Sequence, residues 1–141
     1  MKNDIDIQIT VPNQTRYLGL IGRIGENITR ELDSFPGDRE TLGHHINVVL
    51  TEALVNAIKH AKTSETDTEV RIRINVCDKE LVIRVYDNGQ GFDLDLVPGN
   101  GCKDPLNEKG RGIFIIRSLM DSVVYKKANG GNVLEMKKAL G

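Results

Sequence analysis

The sequence predicts an α/β fold, a two-layer sandwich in which helices lie on one face of a mixed, mostly antiparallel sheet. Three observations support this prediction. Five short segments have the alternation or turn-bounded composition of strands, and three others repeat apolar residues at helical spacing. Most strand segments follow one another through short turns, as in hairpins, so few helical crossovers are available. A doubly wound parallel sheet would need strands and helices in alternation, which this chain lacks.

The first strand and the two long helices occupy the N-terminal half of the chain. Residues 5–11 alternate apolar and polar side chains, as a half-buried strand does. The segment 15–32 repeats apolar residues every three or four positions, and its three glycines permit close backbone packing. Residues 35–37 break that helix, and a second, longer helix follows over about 38–61, with Asp38 able to cap its first turn.

The C-terminal half contains two hairpins, with a long loop rich in turn-forming residues and one short apolar helix between them. These elements are strands 70–77 and 80–87, loop 88–109, helix 112–121, and strands 123–127 and 133–138. A loop of that length inside a small domain is usually functional or disordered.

Composition excludes several classes of protein. The chain has 141 residues, with 19 Lys and Arg against 20 Asp and Glu, so it lacks the basic excess of a nucleic-acid-binding protein. No segment has the roughly 20 apolar residues that a membrane span needs, and no secretory signal is visible. Two cysteines are too few for a disulfide scaffold. We therefore expect one cytoplasmic domain over residues 1–141, with no nucleic-acid or membrane partner.

Glu52 and Asn56 are the first candidate site residues. They lie one turn apart on the second helix, at the edge of its apolar stripe. A carboxylate and an amide oxygen can hold Mg²⁺ together with waters, and the carboxylate could orient or deprotonate a hydroxyl nucleophile. The alternative is an ordinary polar border of an amphipathic helix.

The second candidate is the segment Asp87-Asn88-Gly89-Gln90-Gly91 at the end of a strand. By the period of two, Asp87 faces the core, where a carboxylate needs a hydrogen-bond donor, and the exocyclic amine of a base would serve. Gly89 and Gly91 would let the backbone approach a ligand closely. The alternative is a plain Asn-Gly turn.

The third candidate is Gly110-Arg111-Gly112, at the start of the short helix. Free N–H groups and the helix dipole make such a start favourable for phosphate, although a simple loop-to-helix junction would look the same. Together, the three motifs and the long loop predict a ligand pocket. It would have a metal ligand, an acidic side chain that recognises a nucleotide base, a lid and a phosphate-binding helix start.

This combination resembles the ATPase superfamily of gyrase, heat-shock chaperones, histidine kinases and mismatch-repair ATPases. Its three sequence boxes are matched by Glu52-x-x-x-Asn56, Asp87-x-Gly89-x-Gly91 and Gly110-x-Gly112. Within that superfamily, the amino-acid sequence of residues 51–61 and 110–121 looks like that of the small anti-sigma-factor serine/threonine protein kinases. The resemblance covers nearly the whole chain and implies the histidine-kinase-like ATPase fold.

The resemblance implies a role for each matched residue. Asn56 would coordinate Mg²⁺, and Glu52 would be the catalytic base or positioning carboxylate for a hydroxyl on a partner protein. Asp87 would accept a hydrogen bond from the adenine amino group of ATP. The remaining matches would bind the base or the phosphates: Gly89, Gly91, Gly110, Arg111 and Gly112. Residues of about 93–109 would form the flexible ATP lid.

The function that the resemblance implies is that of an ATP-dependent kinase and anti-sigma factor. Such a protein phosphorylates a small antagonist protein and sequesters a sigma factor, and its family tends to form homodimers. Two alternatives stay open: a nucleotide-gated regulator without phosphotransfer, and a stand-alone histidine-kinase-type catalytic domain. The chain departs from the family where the last strand often begins with Gly-Thr, because here it has Gly131-Asn132.

Overall fold

The computed structural model describes residues 4–32, 35–60, 69–87, 111–128 and 130–141. Within these residues the chain forms five strands and three α-helices, with a short 3₁₀ turn before the first helix. The strands are β1 (Ile5–Pro12), β2 (Glu69–Cys77), β3 (Glu80–Asp87), β4 (Ser122–Ala128) and β5 (Gly131–Ala139). The helices are α1 (Leu18–Arg30), α2 (Arg39–His60) and α3 (Arg111–Leu119).

The five strands form one sheet in the order β1-β2-β3-β5-β4. All four pairings between the described strands are antiparallel, so the mixed character that the sequence suggested is not found there. The reason lies in the connection after β3. After β3, the next strand along the chain, β4, lies at the edge of the sheet. The last strand, β5, then pairs between β3 and β4. β3 and β4 run in the same direction, but β5 separates them.

The sheet has one apolar face and one polar face, as the alternation of its strands predicts. Side chains on the apolar face pack with those of the helices in a single core, which includes Ile74, Ile83 and Met136 from the sheet and Ile46 from α2. The opposite face carries ion pairs between neighbouring strands. The predicted two-layer sandwich is therefore confirmed.

The helices begin and end close to their predicted limits, and the differences have local causes. The Asp38 carboxylate accepts hydrogen bonds from the Glu40 amide at 3.0 Å and the Thr41 hydroxyl at 2.9 Å. These bonds hold the pKa of Asp38 below its ordinary value. The predicted cap is therefore confirmed, and α2 begins directly after it. The start of the predicted first helix forms the 3₁₀ turn instead, at Thr15–Tyr17.

Glycines allow α1 to pack closely on α2. A Cβ atom at Gly22 would overlap the Asn47 amide oxygen, and one at Gly25 would overlap the Leu50 side chain. The close backbone packing predicted for this glycine-rich helix is thus observed at two of its three glycines. It fixes the position of α2, which carries the first candidate motif and also contacts the sheet.

Candidate functional site

Helix α2 places Glu52 and Asn56 where the sequence predicts them. Both side chains are half-buried, whereas Ala53 and Ala57 beside them are buried in the core. The pair therefore lies at the border between the apolar stripe and the surface. There each polar group can reach a ligand without losing all of its hydration.

The first and third motifs meet at this border. A Cβ atom on Gly112 would stand 2.8 Å from Glu52 Oε2 and 3.7 Å from its Cβ and Cδ. The Glu52 carboxylate thus lies directly against the second residue of α3. Only glycine leaves room for the carboxylate in this position. The structure therefore brings Glu52 to the N-terminal turn of a helix, where free backbone N–H groups favour an anion.

Asp87 ends β3 and points into the molecule, as the period of two predicts. Its side chain is buried, with 5% of its surface exposed. The carboxylate accepts a hydrogen bond from Asn132 Nδ2 at Oδ1 (3.1 Å) and a longer one from the Tyr125 hydroxyl at Oδ2 (3.5 Å). The requirement for donors was predicted correctly, and two of the donors are side chains of β4 and β5.

Tyr125 is partly buried beside this carboxylate, and its ionisation is affected. Burial of the phenol, and then the negative charge and hydrogen bond of Asp87, raise the pKa of Tyr125 far above its usual range. The hydroxyl therefore stays protonated and can act as a donor at any physiological pH.

Sequence reasoning missed Tyr125 and recorded Asn132 only as a departure from a family pattern. Asn132 is identified by strand register, because it lies directly opposite Asp87 in the β3–β5 pairing. Tyr125 lies on β4, and it reaches Asp87 across the intervening β5. The only signal in the sequence was an aromatic residue in a predicted strand.

The remaining predicted site residues are only partly described. Arg111 is exposed and opens α3, directly before Gly112. Gly89, Gly91, Gly110 and the predicted lid at about 93–109 lie outside the described residues. Helix α2 contacts both β3 and α3, so the elements that carry the other two motifs are both neighbours of α2.

The described residues contain no group of three or more His, Cys, Asp and Glu side chains that could hold a metal ion. Asn56 nevertheless offers a half-buried amide oxygen beside Glu52. Mg²⁺ is often held by only one or two protein ligands together with substrate phosphates, so this donor set fits Mg²⁺ in a nucleotide complex. In the same described part of the chain, no helix is both long enough and apolar enough to cross a membrane.

Comparisons with known proteins show the family and the fold that this chain resembles. Residues 11–138 match the model of the histidine kinase-like ATPase domain. The serine-protein kinase RsbW of Bacillus subtilis is 30% identical, over 94% of this chain and 86% of its own length. RsbW of Halalkalibacterium halodurans is 31% identical, over 95% and 83%. In the blue-light activated histidine kinase of Erythrobacter litoralis EL346, a similar fold has a TM-score of 0.58 at 22% identity. That match covers 92% of this chain but only 42% of the larger protein.

Proposed function

Because the chain belongs to the histidine kinase-like ATPase family, in the branch of the anti-sigma-factor serine/threonine kinases, we propose that it transfers the γ-phosphoryl group of ATP to a hydroxyl of a small antagonist protein. The observation that carries this proposal is the contact of Glu52 with Gly112. A pocket that only bound a nucleotide would not need a carboxylate at the start of the phosphate-binding helix.

The proposed nucleotide site extends from β3 to α3. Asp87 accepts a hydrogen bond from the adenine amino group, with Gly89 and Gly91 close to the base. Gly110, Arg111 and Gly112 bind the phosphates through backbone N–H groups and the charge of the guanidinium. Asn56 would hold Mg²⁺, which would neutralise phosphate charge.

Phosphoryl transfer requires little more than positioning and charge neutralisation, so this small set of residues is sufficient. The serine or threonine oxygen attacks the γ-phosphorus, and the bond between that phosphorus and the β–γ bridging oxygen breaks. The hydroxyl proton passes to the Glu52 carboxylate, which also orients the attacking oxygen. The products are ADP and a phosphoester on the antagonist.

The similarity to RsbW proteins along nearly the whole chain supports a regulatory role for this reaction. We propose that the protein sequesters a sigma factor in the cytoplasm. An unphosphorylated antagonist would compete with the sigma factor for the protein, and phosphorylation of the antagonist would end that competition. Sigma factor and antagonist are thus the two protein partners.

Replacement of Glu52 tests the proposal. We expect Glu52→Gln to bind ATP with nearly unchanged affinity but to transfer labelled γ-phosphate to the antagonist of the same organism at least about 100-fold more slowly. Glu40→Gln is the matched control, because Glu40 is exposed in the first turn of the same helix. If Glu52→Gln transfers phosphate as fast as the control, Glu52 is not the catalytic residue. If the unaltered protein binds ATP and transfers nothing, it is a nucleotide-gated regulator.

A further inference from the structure

Asp87, Tyr125 and Asn132 form a polar cluster on the core-facing side of the sheet, here called the Asp87 cluster. Asp87 and Asn132 are buried, with 5% and 4% of their surfaces exposed. The three residues come from three neighbouring strands, β3, β5 and β4. A buried polar group costs free energy unless it is hydrogen-bonded, so the contacts of this cluster determine whether the carboxylate is tolerated there.

The Asn132 and Tyr125 side chains bind different oxygens of the same carboxylate. Asn132 Nδ2 donates to Oδ1 and the Tyr125 hydroxyl donates to Oδ2. A donor on one oxygen alone would leave the group able to rotate about its Cβ–Cγ bond. Donors on both oxygens fix the plane of the carboxylate. A carboxylate has about four acceptor positions, so it can accept hydrogen bonds from several donors at once.

The two hydrogen bonds differ in strength. Asn132 donates over 3.1 Å from the position directly opposite Asp87, so strand pairing holds donor and acceptor together. The Tyr125 bond, at 3.5 Å, is at the long limit for a hydroxyl donor and is correspondingly weaker. Asn132 is therefore expected to contribute most of the orientation, and Tyr125 a smaller share.

We propose that Asn132 and Tyr125 are specificity-determining positioning residues, which orient the Asp87 carboxylate toward the exocyclic amine of adenine. This inference rests on the proposed role of Asp87 in ATP binding. A fixed acceptor favours a base that presents an amino group at that position. A base with a carbonyl oxygen there, such as guanine, would face the carboxylate acceptor to acceptor. A base with only hydrogen there would leave the buried carboxylate without that donor.

The experiment compares two nucleotides that differ only in this amino group. Dissociation constants for ATP and for purine riboside triphosphate, which lacks the amine, are measured by calorimetric titration of the full chain. The unaltered protein should bind ATP about tenfold more tightly. In Asn132→Leu this ratio should fall to within about twofold of unity, and in Tyr125→Phe it should fall about threefold.

One control variant and one fallback variant keep the test decisive. Tyr86→Phe is the control, because Tyr86 precedes Asp87 on the other face of the sheet, where it lies under the Arg71 guanidinium. It should keep the full ratio. Should Asn132→Leu fail to fold, Tyr125→Phe removes only one hydroxyl and still gives a result.

The outcomes separate this inference from the proposed function. Loss of the ratio in the two cluster variants, with the control unchanged, supports the inference. A preserved ratio, with ATP and the analogue weakened equally, overturns it, because the residues would then act only on stability. If the unaltered protein does not distinguish ATP from the analogue, or binds neither, the proposed role of Asp87 itself is wrong.

Discussion

Gly112 is the residue at which the proposed catalytic geometry is most sensitive to a single methyl group. Gly112→Ala would place a Cβ 2.8 Å from Glu52 Oε2, so the carboxylate must move. Because a misplacement of about 1 Å can cost roughly 100-fold in rate, we expect phosphotransfer to fall by at least about tenfold. ATP affinity should change much less. Rates of phosphate transfer from labelled ATP, with Ser118→Ala on the exposed face of α3 as control, would measure this effect.

Asp87 gives a second prediction at the scale of single residues. Asp87→Asn replaces one acceptor oxygen of the carboxylate with an N–H donor. Both neighbours of that group, the adenine amine and the Asn132 amide, are themselves donors. We expect ATP affinity to fall by about tenfold or more, as the dissociation constant from calorimetric titration would show. A variant that binds ATP like the unaltered protein would refute the role of Asp87 in binding.

The site residues could be predicted to the extent that local periodicity positions them. Helical spacing placed Glu52 and Asn56 on one flank, and strand alternation turned Asp87 toward the core. The partners of Asp87 could not be predicted in this way. Asn132 lies 45 residues further along the chain, and its contact depends on the register of β3 against β5. Register is set by the packing of the whole sheet rather than by local sequence.

At the scale of elements, the α1–α2 interface depends on glycines that leave no room for a side chain. A Cβ atom on Gly25 would overlap Leu50, which is itself buried in the core. Overpacking costs about 1–3 kcal/mol, whereas the better helix propensity of alanine returns at most about 1 kcal/mol. We therefore expect Gly25→Ala to lower the free energy of unfolding by about 1–2 kcal/mol, as measured by urea denaturation.

Gly19→Ala is the matched control for this prediction. Gly19 lies in the same helix, and the nearest atoms to its added Cβ would belong to the mobile end of the exposed Arg23 side chain. Here the helix propensity should dominate, and stability should rise by up to about 1 kcal/mol. Equal effects of the two substitutions would show that close packing of α1 on α2 does not limit stability.

The pairing of β3 with β5 gives a prediction about pH. Burial alone would raise the pKa of Glu135. The hydrogen bond from Arg84 at 2.8 Å and the positive charge of Arg84 outweigh that effect and hold the pKa of Glu135 below its ordinary value. A lowered pKa in the folded state contributes stability that is present above the unfolded pKa and is lost as the pH falls through the folded value. The stability difference between the unaltered protein and Glu135→Gln should therefore shrink below about pH 4.5.

Urea denaturation of both proteins between about pH 3 and pH 7 would measure this difference. Asp6→Asn is a useful comparison, because Asp6 forms an exposed pair with Arg73 on the same face of the sheet. An exposed pair should contribute little. A difference for Glu135→Gln that stays constant down to pH 3 would contradict the assigned role of Arg84.

At the scale of the whole molecule, the fold class followed from the sequence, but the order of the strands did not. Alternating strands, helical spacing and hairpin turns were sufficient to predict a sheet with helices on one face. The position of β5 between β3 and β4 was not encoded in any short segment. It depends on which edge of the sheet the last hairpin meets, and that pairing is decided by contacts between distant parts of the chain.

The sandwich explains how the first motif, on α2, meets the described part of the third, at the start of α3. Helix α2 is the common neighbour of β3 and α3, and α1 and the sheet fix its position. Residues from the middle of α2 therefore lie close to the start of α3, where Glu52 contacts Gly112. The proposed kinase activity depends on this arrangement.

The most direct test of that activity is the chemical nature of the phosphorylated product. The protein, γ-labelled ATP, Mg²⁺ and the antagonist protein are incubated together, and the label on the antagonist is treated with acid. We predict an acid-stable phosphoester on serine or threonine, formed only when ATP and Mg²⁺ are both present. An acid-labile label on histidine, or no transfer at saturating ATP, would contradict the account.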